Sequence, residues 1–285
     1  MKRTFVSTLA TLAFAAALPA HAATAFKAEV TGKGPAVILI PGLASSGEVW
    51  KGTTEHLCGP RQCHVLTLAG FAGQPAMDGP LLATAEKEIA EYIETNKLGK
   101  PVIIGHSLGG FLGMKLAADH PDKVGKLVIV DSLPALAATQ LPTITREQMA
   151  QVAASTRDRL LSQDDAAYAA GLQRTATSMV SSPADIERVV GWGRISDRKA
   201  VANAMYEMTA DDMRQDIARI SAPTLVLGAY AGYKQFAPLP AIEAVYRGQY
   251  AQLKGVQIAI AENARHFIMF DDPAWMYDRV DQFLK

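Results

Sequence analysis

A short glycine-flanked serine motif is the feature of this sequence with the clearest chemical potential. Residues 105–109 read GHSLG, which fits the pattern G-x-S-x-G. A β-branched apolar segment at 102–104 precedes the motif, and a helical pattern at 109–120 follows it. A serine in a tight strand-to-helix turn stands above the sheet, beside a helix N-terminus that favours developing negative charge. The motif therefore predicts Ser107 as a nucleophile.

The segments around this motif alternate between two kinds of pattern. Short apolar, β-branched runs bounded by Gly or Pro indicate buried strands, and amphipathic runs between them indicate helices. This alternation predicts an α/β fold with a mostly parallel sheet and helices on both of its faces. The predicted strands are 36–40, 64–68, 101–104, 126–130, 224–227 and 256–260. The predicted helices that alternate with them are 81–95, 109–120, 241–250 and 274–284.

One long segment, residues 134–216, interrupts this alternation. It contains no strand pattern, but it has helical stretches at 145–161 and 164–180 and is rich in Met, Gln, Ala and Arg. We interpret it as a helical cap inserted into the sheet domain. The core domain would then comprise residues 23–133 and 217–285.

The N-terminus has the pattern of a secretory signal peptide. Lys2 and Arg3 precede an uncharged apolar run, and Ala20-His21-Ala22 provides the small-x-small site that signal peptidase accepts. The run is shorter than the ~20 residues needed to cross a bilayer, which disfavours a membrane anchor. We therefore predict a signal peptide at 1–22, cleavage before Ala23, no membrane span, and a periplasmic or secreted protein.

Composition and cysteine content narrow the class further. The 285 residues include 28 Lys+Arg, 28 Asp+Glu and 49% hydrophobic residues, which is typical of a globular domain and disfavours nucleic-acid binding. Cys58 and Cys63 flank a Gly-Pro bend, so in an oxidising compartment we expect them to form a structural disulfide. Two free buried thiols are the alternative.

With this motif in this context, the chain resembles the α/β-hydrolase family over nearly all of the predicted mature sequence. Residues 40–43, with the letters IPGL, follow the first long predicted strand and look like the oxyanion loop of that family. The resemblance implies that the backbone N–H groups of Leu43 and Leu108 bind the oxyanion, and that Gly42 keeps the loop open.

The resemblance also implies a base and an acid. His266 follows the last predicted strand and matches the family's catalytic histidine in position and chain order. Family members usually carry the acid after the strand that is here 224–227, but residues 228–234 contain neither Asp nor Glu. The family's other acid position follows the preceding strand and corresponds here to Asp131. Alternatives that remain open are Asp211, Asp212 and Glu262.

These residues together predict hydrolysis of a small-molecule carboxylic ester or lactone through an acyl-serine. Amide or peptide cleavage by the same residues stays open, as does a non-catalytic binding protein, which only the missing acid after 224–227 supports. No nucleotide-binding glycine motif or metal-ligand spacing occurs, so we expect no cofactor and no metal. Aromatic residues that could line a substrate pocket, or simply pack between cap and core, are Phe71, Trp192, Tyr230 and Tyr233.

Overall fold

The computed structural model describes residues 24–139 and 141–285, and the predicted signal peptide lies outside them. In those residues seven strands form one sheet. The strands are β1 (Phe26–Thr31), β2 (Ala36–Ile40), β3 (Gln62–Leu68), β4 (Val102–His106), β5 (Lys126–Val130), β6 (Thr224–Ala229) and β7 (Gln257–Ala261). Their order across the sheet is β1-β3-β2-β4-β5-β6-β7.

The sheet is parallel except at one edge, where β1 runs antiparallel to β3. All six predicted strands are present, with ends within about two residues of the predicted ones, which is the usual accuracy of boundaries read from sequence. The sequence pattern missed β1 because most of this edge strand is exposed and it carries Lys27 and Glu29. The predicted fold class is confirmed.

Ten helices lie in the same part of the chain. They are α1 (Lys51–Leu57), α2 (Leu81–Thr95), α3 (Leu108–Asp119), α4 (Arg146–Ser162), α5 (Asp165–Met179), α6 (Pro183–Arg194), α7 (Arg198–Ala210), α8 (Leu239–Gln249), α9 (Ile268–Asp271) and α10 (Pro273–Leu284).

Two apolar clusters cover the two faces of the sheet. Ile38 and Ile40 of β2 pack into one cluster with residues of α2 and α3, whereas Val37 and Leu39 pack into the other with residues of α1 and α10. Alternate side chains of a strand point to opposite faces, so a strand that is buried throughout serves both clusters. This double coverage explains why the central strands are continuous apolar runs.

Four helices, α4 to α7, stand between β5 and β6, where the sequence interrupts its alternation. Helix α4 begins with a capping box, in which Thr145 and Gln148 satisfy each other's backbone N–H groups. Helix α4 packs against α7, and α5 packs against α6. The division of the chain into a core and a cap at 134–216 stays a prediction.

Cys58, at the end of α1, forms a disulfide with Cys63 of β3, and their Cα atoms are 5.7 Å apart. The structure therefore has the predicted bond and not the alternative of two free thiols. Among residues 24–139 and 141–285, no helix has both the length and the apolar character required to cross a bilayer.

Candidate active site

Ser107 occupies the turn between β4 and α3. Its backbone has φ +52° and ψ −120°, a region that costs a residue with a side chain about 1–3 kcal/mol and persists only where the surroundings impose it. Its N–H donates to the carbonyl of Val130 at 2.9 Å, which ties the turn to the neighbouring strand β5. The predicted nucleophile therefore lies in a strained strand-to-helix turn.

The glycines of the motif allow this turn because no side chain fits there. A Cβ added to Gly105 would lie 2.2 Å from the carbonyl oxygen of Gly109, and a Cβ added to Gly109 would lie 2.2 Å from the carbonyl oxygen of Ile40. Both distances are far inside van der Waals contact. The spacing G-x-S-x-G is thus a requirement of local packing.

The loop after β2 passes directly beside the serine. A Cβ added to Gly42 would lie 3.2 Å from Cβ of Ser107, so glycine gives this approach its room. Leu43 follows Gly42, and Ser45 donates from its N–H to the carbonyl of Gly42 and from its hydroxyl to that of Leu43, both at 3.2 Å. Leu108 begins helix α3 directly after Ser107. The two residues predicted to form the oxyanion site thus lie next to the serine turn, and that role stays a prediction.

Asp131 and His266 form a direct hydrogen-bonded pair, in which Nδ1 of His266 lies 2.6 Å from Oδ2 of Asp131. Asp131 follows β5 with φ +48°, and its N–H donates to the carbonyl of Leu227 at 2.7 Å. Its other oxygen, Oδ1, accepts the Ala229 N–H at 2.7 Å and the Tyr246 hydroxyl. This tyrosine was not anticipated from sequence.

The Asp131 carboxyl is nearly buried, yet it is held in its charged form. Burial acts to raise its pKa, but the hydrogen bond and charge of His266 and the donors Tyr246 and Ala229 outweigh burial and lower the pKa below its usual range. A carboxylate of this kind can orient an imidazole and stabilise its protonated form.

His106 lies beneath His266, with their ring centroids 4.6 Å apart. Its Nε2–H donates to the backbone carbonyl of His266 at 3.1 Å. Burial, and next the charge of His266, lowers the pKa of His106 to about 3, so this ring stays neutral. This contact could not be predicted from the sequence, because His106 and its partner are 160 residues apart.

Of the three predicted catalytic side chains, the structure joins only two by a hydrogen bond. In the part of the chain that the structure describes, no hydrogen bond connects Ser107 to His266. Serine–histidine contacts are often long in unliganded enzymes and shorten when substrate binds. The 22% exposure of the His266 side chain leaves it open to solvent and to small molecules.

The alternative acids lie in other interactions. Asp211 is 3.4 Å from the ammonium of Lys115, and Asp212 accepts from the guanidinium of Arg214 at 2.7 Å. Glu262 is exposed. Within the described residues, Asp131 is the carboxylate that hydrogen-bonds His266.

The four candidate substrate-binding aromatics have different surroundings. Phe71 is completely buried and Trp192 is 6% exposed, and both pack into the apolar clusters. The Tyr230 hydroxyl donates to the carbonyl of Ala237 at 3.1 Å. Tyr233 is 45% exposed, and burial of its phenol followed by the charge of the nearby aspartate raises its pKa. Of these four residues, Tyr233 is thus the most exposed in the described part of the chain.

No group of three or more His, Cys, Asp or Glu side chains in the described ranges is arranged to hold a metal ion.

Residues 37–279 match the alpha/beta hydrolase family, and the chain belongs to that family. The pimeloyl-[acyl-carrier protein] methyl ester esterase of Vibrio atlanticus is 25% identical over 201 residues, which are 70% of this chain and 76% of that protein. The same-named esterase of Vibrio vulnificus is 34% identical over 110 residues, 39% of this chain and 42% of that protein. The enol-lactonase structure from Burkholderia xenovorans superposes with a TM-score of 0.75 at 17% identity, over 91% of this chain and 96% of that one.

Family membership and the esterase relatives confirm the predicted enzyme class, a hydrolase of the carboxylic ester type. The structural likeness at 17% identity shows the shared fold.

Proposed function

We propose that this chain is an exported serine hydrolase that cleaves a small-molecule carboxylic ester or lactone. The observation that carries the proposal is the 2.6 Å contact between Asp131 and His266. Asp131 follows β5 and the strained Ser107 turn follows β4, so both lie at the carboxyl ends of neighbouring parallel strands. An oriented imidazole next to a serine held in such a turn is the arrangement that acyl transfer requires.

The reaction would proceed in two stages. His266 accepts the hydroxyl proton of Ser107 as its oxygen attacks the carbonyl carbon, and the backbone N–H groups of Leu43 and Leu108 bind the oxyanion. Collapse expels the alcohol, which takes the proton from His266 and leaves an acyl-serine. Water, deprotonated by His266, then attacks the acyl carbon, the bond between that carbon and Oγ of Ser107 breaks, and Oγ takes the proton back from His266 as the carboxylic acid leaves. Asp131 stabilises the imidazolium in both stages.

The substrate class is supported by the relatives' names. A methyl ester esterase is similar to this chain in sequence, and an enol-lactonase is similar in fold. Both bonds are carboxylic esters, and a lactone differs only in that its alcohol stays attached to the acyl group. Tyr233 is the aromatic residue that we expect at the rim of the substrate site, because it is exposed and follows Ala229, the donor to Asp131, by four residues.

Export is supported by the N-terminal pattern and by a disulfide of a kind that persists in oxidising compartments. N-terminal sequencing of the protein recovered from the periplasm or medium of an expressing bacterium tests it. We expect a chain that begins at Ala23. A cytoplasmic protein that retains Met1 would contradict export.

The catalytic proposal is tested with p-nitrophenyl esters of short and medium acyl chains and with Ser107→Ala. We expect the variant to lose at least about 10³-fold in kcat and to resist labelling by a fluorophosphonate. Ser221→Ala, an exposed serine whose hydroxyl donates to the carbonyl of Pro121, is the matched control. Ester hydrolysis by Ser107→Ala at the wild-type rate would contradict the proposal.

Two further outcomes address the alternatives. Faster cleavage of a p-nitroanilide than of the ester with the same acyl group would indicate an amidase. No turnover and no fluorophosphonate labelling of the wild type would indicate a binding protein.

A further inference from the structure

Three side chains at the C-terminal end of α8, two in the helix and one at its C-cap, hold the segment that follows β5. Tyr246 donates to Oδ1 of Asp131, and the Tyr250 hydroxyl donates to the carbonyl of Ser132 at 2.8 Å. Gln249 accepts the N–H of Ala135 at 3.1 Å and donates to its carbonyl at 2.9 Å. Tyr246 and Gln249 are spaced i and i+3 in the helix and so lie on one face, and Tyr250 is the C-cap residue that follows directly. Only Tyr246 reaches the carboxylate itself.

The carboxylate of Asp131 is fixed through both oxygens. Oδ2 contacts His266, and Oδ1 accepts from Ala229 and from Tyr246, which approach from different elements. The Tyr246 hydroxyl adds a second donor to Oδ1 and so further restricts rotation of the carboxylate about its Cβ–Cγ bond. The Tyr246 ring is 6% exposed, and burial together with the charge of Asp131 raises the pKa of its hydroxyl well above 10, so it donates at every working pH.

The end of β6 is shaped to admit the Tyr246 ring. A Cβ added to Gly228 would lie 2.6 Å from Cζ of Tyr246 and 2.7 Å from Cδ1 of Ile260. Any other residue at 228 would therefore displace the Tyr246 ring or the Ile260 side chain. The end of β6, which carries no Asp or Glu, thus provides the space for the Tyr246 phenol. Through the N–H of Ala229 it also provides the second donor to Oδ1 of Asp131.

We propose that Tyr246 is the positioning residue of this site, orienting the Asp131 carboxylate toward His266 so that the end of β5 can serve as the acid position. The inference rests on the proposed function, because orientation of the acid matters only if His266 acts as a base. Tyr246 touches neither substrate nor the reacting atoms in this role. It acts through Asp131.

The test is Tyr246→Phe, which removes one oxygen, compared with Tyr250→Phe at the C-cap of the same helix. We expect kcat for a p-nitrophenyl ester to fall about tenfold in Tyr246→Phe with little change in KM, and less than threefold in Tyr250→Phe. Equal losses in the two variants, or a KM effect alone, would overturn the proposal, because helix packing would then explain the effect.

A double-mutant cycle separates orientation from general stability. In the Asp131→Asn background, Tyr246→Phe should cost less than twofold in kcat, because the group that it orients is already lost. A full tenfold loss in that background would show that Tyr246 acts by another route.

A spectroscopic measurement distinguishes failure of this inference from failure of the proposed function. The Nδ1–H proton of His266, hydrogen-bonded to Asp131, should give a low-field proton resonance that is assignable with Asp131→Asn. We expect Tyr250→Phe to keep it and Tyr246→Phe to broaden it through exchange with solvent. A sharp resonance in Tyr246→Phe overturns the inference even if the wild type proves inactive. Its selective loss supports an oriented pair whatever the substrate.

Discussion

The ends of the neighbouring strands β5 and β6 differ in what they contribute to the site. β5 ends in Asp131, whose carboxylate contacts His266, whereas β6 ends in Gly228 and Ala229, which carry no charge. The β6 end contributes a backbone N–H to Oδ1 of Asp131 and the space for a tyrosine ring. In this structure the β5 end thus provides the carboxylate that contacts His266, and the β6 end provides a donor and space that hold this carboxylate in place.

The backbone at the β5 end is also more constrained than the backbone at the β6 end. Asp131 has φ +48°, a left-handed conformation that Asp tolerates better than most residues. Its N–H is bonded to Leu227 on the neighbouring strand, which holds the turn in place. The β6 end keeps extended strand pairing with β7 as far as Ala229. The proposed acid thus lies on the more constrained of the two strand ends.

The largest predicted effect is that of removing the proposed acid, Asp131, and it tests the difference between the two strand ends most directly. We expect Asp131→Asn to lower kcat about 10³–10⁴-fold, because an amide at this place favours the wrong imidazole tautomer. Ester hydrolysis, with circular dichroism as a check of folding, measures it. Asp211→Asn, which loses a contact to Lys115, is the matched control and should stay within twofold. A larger loss in Asp211→Asn than in Asp131→Asn would indicate that Asp211, which precedes β6, is the acid.

The second prediction concerns the space at the β6 end. Gly228→Ala places a methyl group 2.6 Å from Cζ of Tyr246, so we expect the free energy of unfolding to fall by about 1–3 kcal/mol and kcat to fall with it. Urea unfolding and ester kinetics measure the two effects. Gly248→Ala in α8, whose added Cβ meets nothing within 4 Å, should instead stabilise by up to about 1 kcal/mol. Equal stability of the two variants would show that the β6 end is not tightly packed.

The third prediction uses His106, which supports His266 from the end of β4. Its pKa is lowered from 6.5 to about 3 by burial, so between these values the unfolded chain binds a proton that the folded protein does not. Stability should therefore fall as pH decreases below 6.5, by about 1.4 kcal/mol per pH unit from this group, and level off near pH 3.

Urea unfolding from pH 7 to 4 measures that slope. His106→Gln keeps a donor for the His266 carbonyl but removes the titration, so its stability should depend less steeply on pH by about one proton. His64, whose pKa burial also lowers, contributes equally to both proteins and cancels in the difference. Parallel curves for the two proteins would contradict a buried neutral His106.

The fold could be predicted because its strong signals are local. Buried parallel strands such as β2 are continuous apolar runs, and the serine turn needs glycines at fixed spacing. Strand β1 was missed because an exposed edge strand with charged residues has no such run. Asp131 was predicted from the resemblance to the α/β-hydrolase family, whose other acid position follows the strand that is here β5, together with the lack of Asp and Glu at 228–234.

The supporting contacts could not be predicted, because they join residues far apart in the sequence. Tyr246 is 115 residues from Asp131, and in sequence it is one aromatic residue in an amphipathic helix. Phe71 and Trp192 illustrate the opposite difficulty, since an aromatic residue in a loop or cap is equally suited to a pocket and to a core. Packing, which decides between the two, depends on all the elements together.

The smallest predicted effect is that of Tyr230→Phe, which contrasts two tyrosine hydroxyls near the end of β6. The Tyr230 hydroxyl donates to the carbonyl of Ala237 within its own loop, whereas that of Tyr246 donates to the acid. We expect Tyr230→Phe to lower the free energy of unfolding by about 0.5–1.5 kcal/mol and to change kcat and KM less than twofold. Urea unfolding and ester kinetics, run beside Tyr246→Phe, measure the contrast. A KM raised severalfold by Tyr230→Phe would instead place this hydroxyl against the substrate, and the β6 end would then contribute to binding as well as to support.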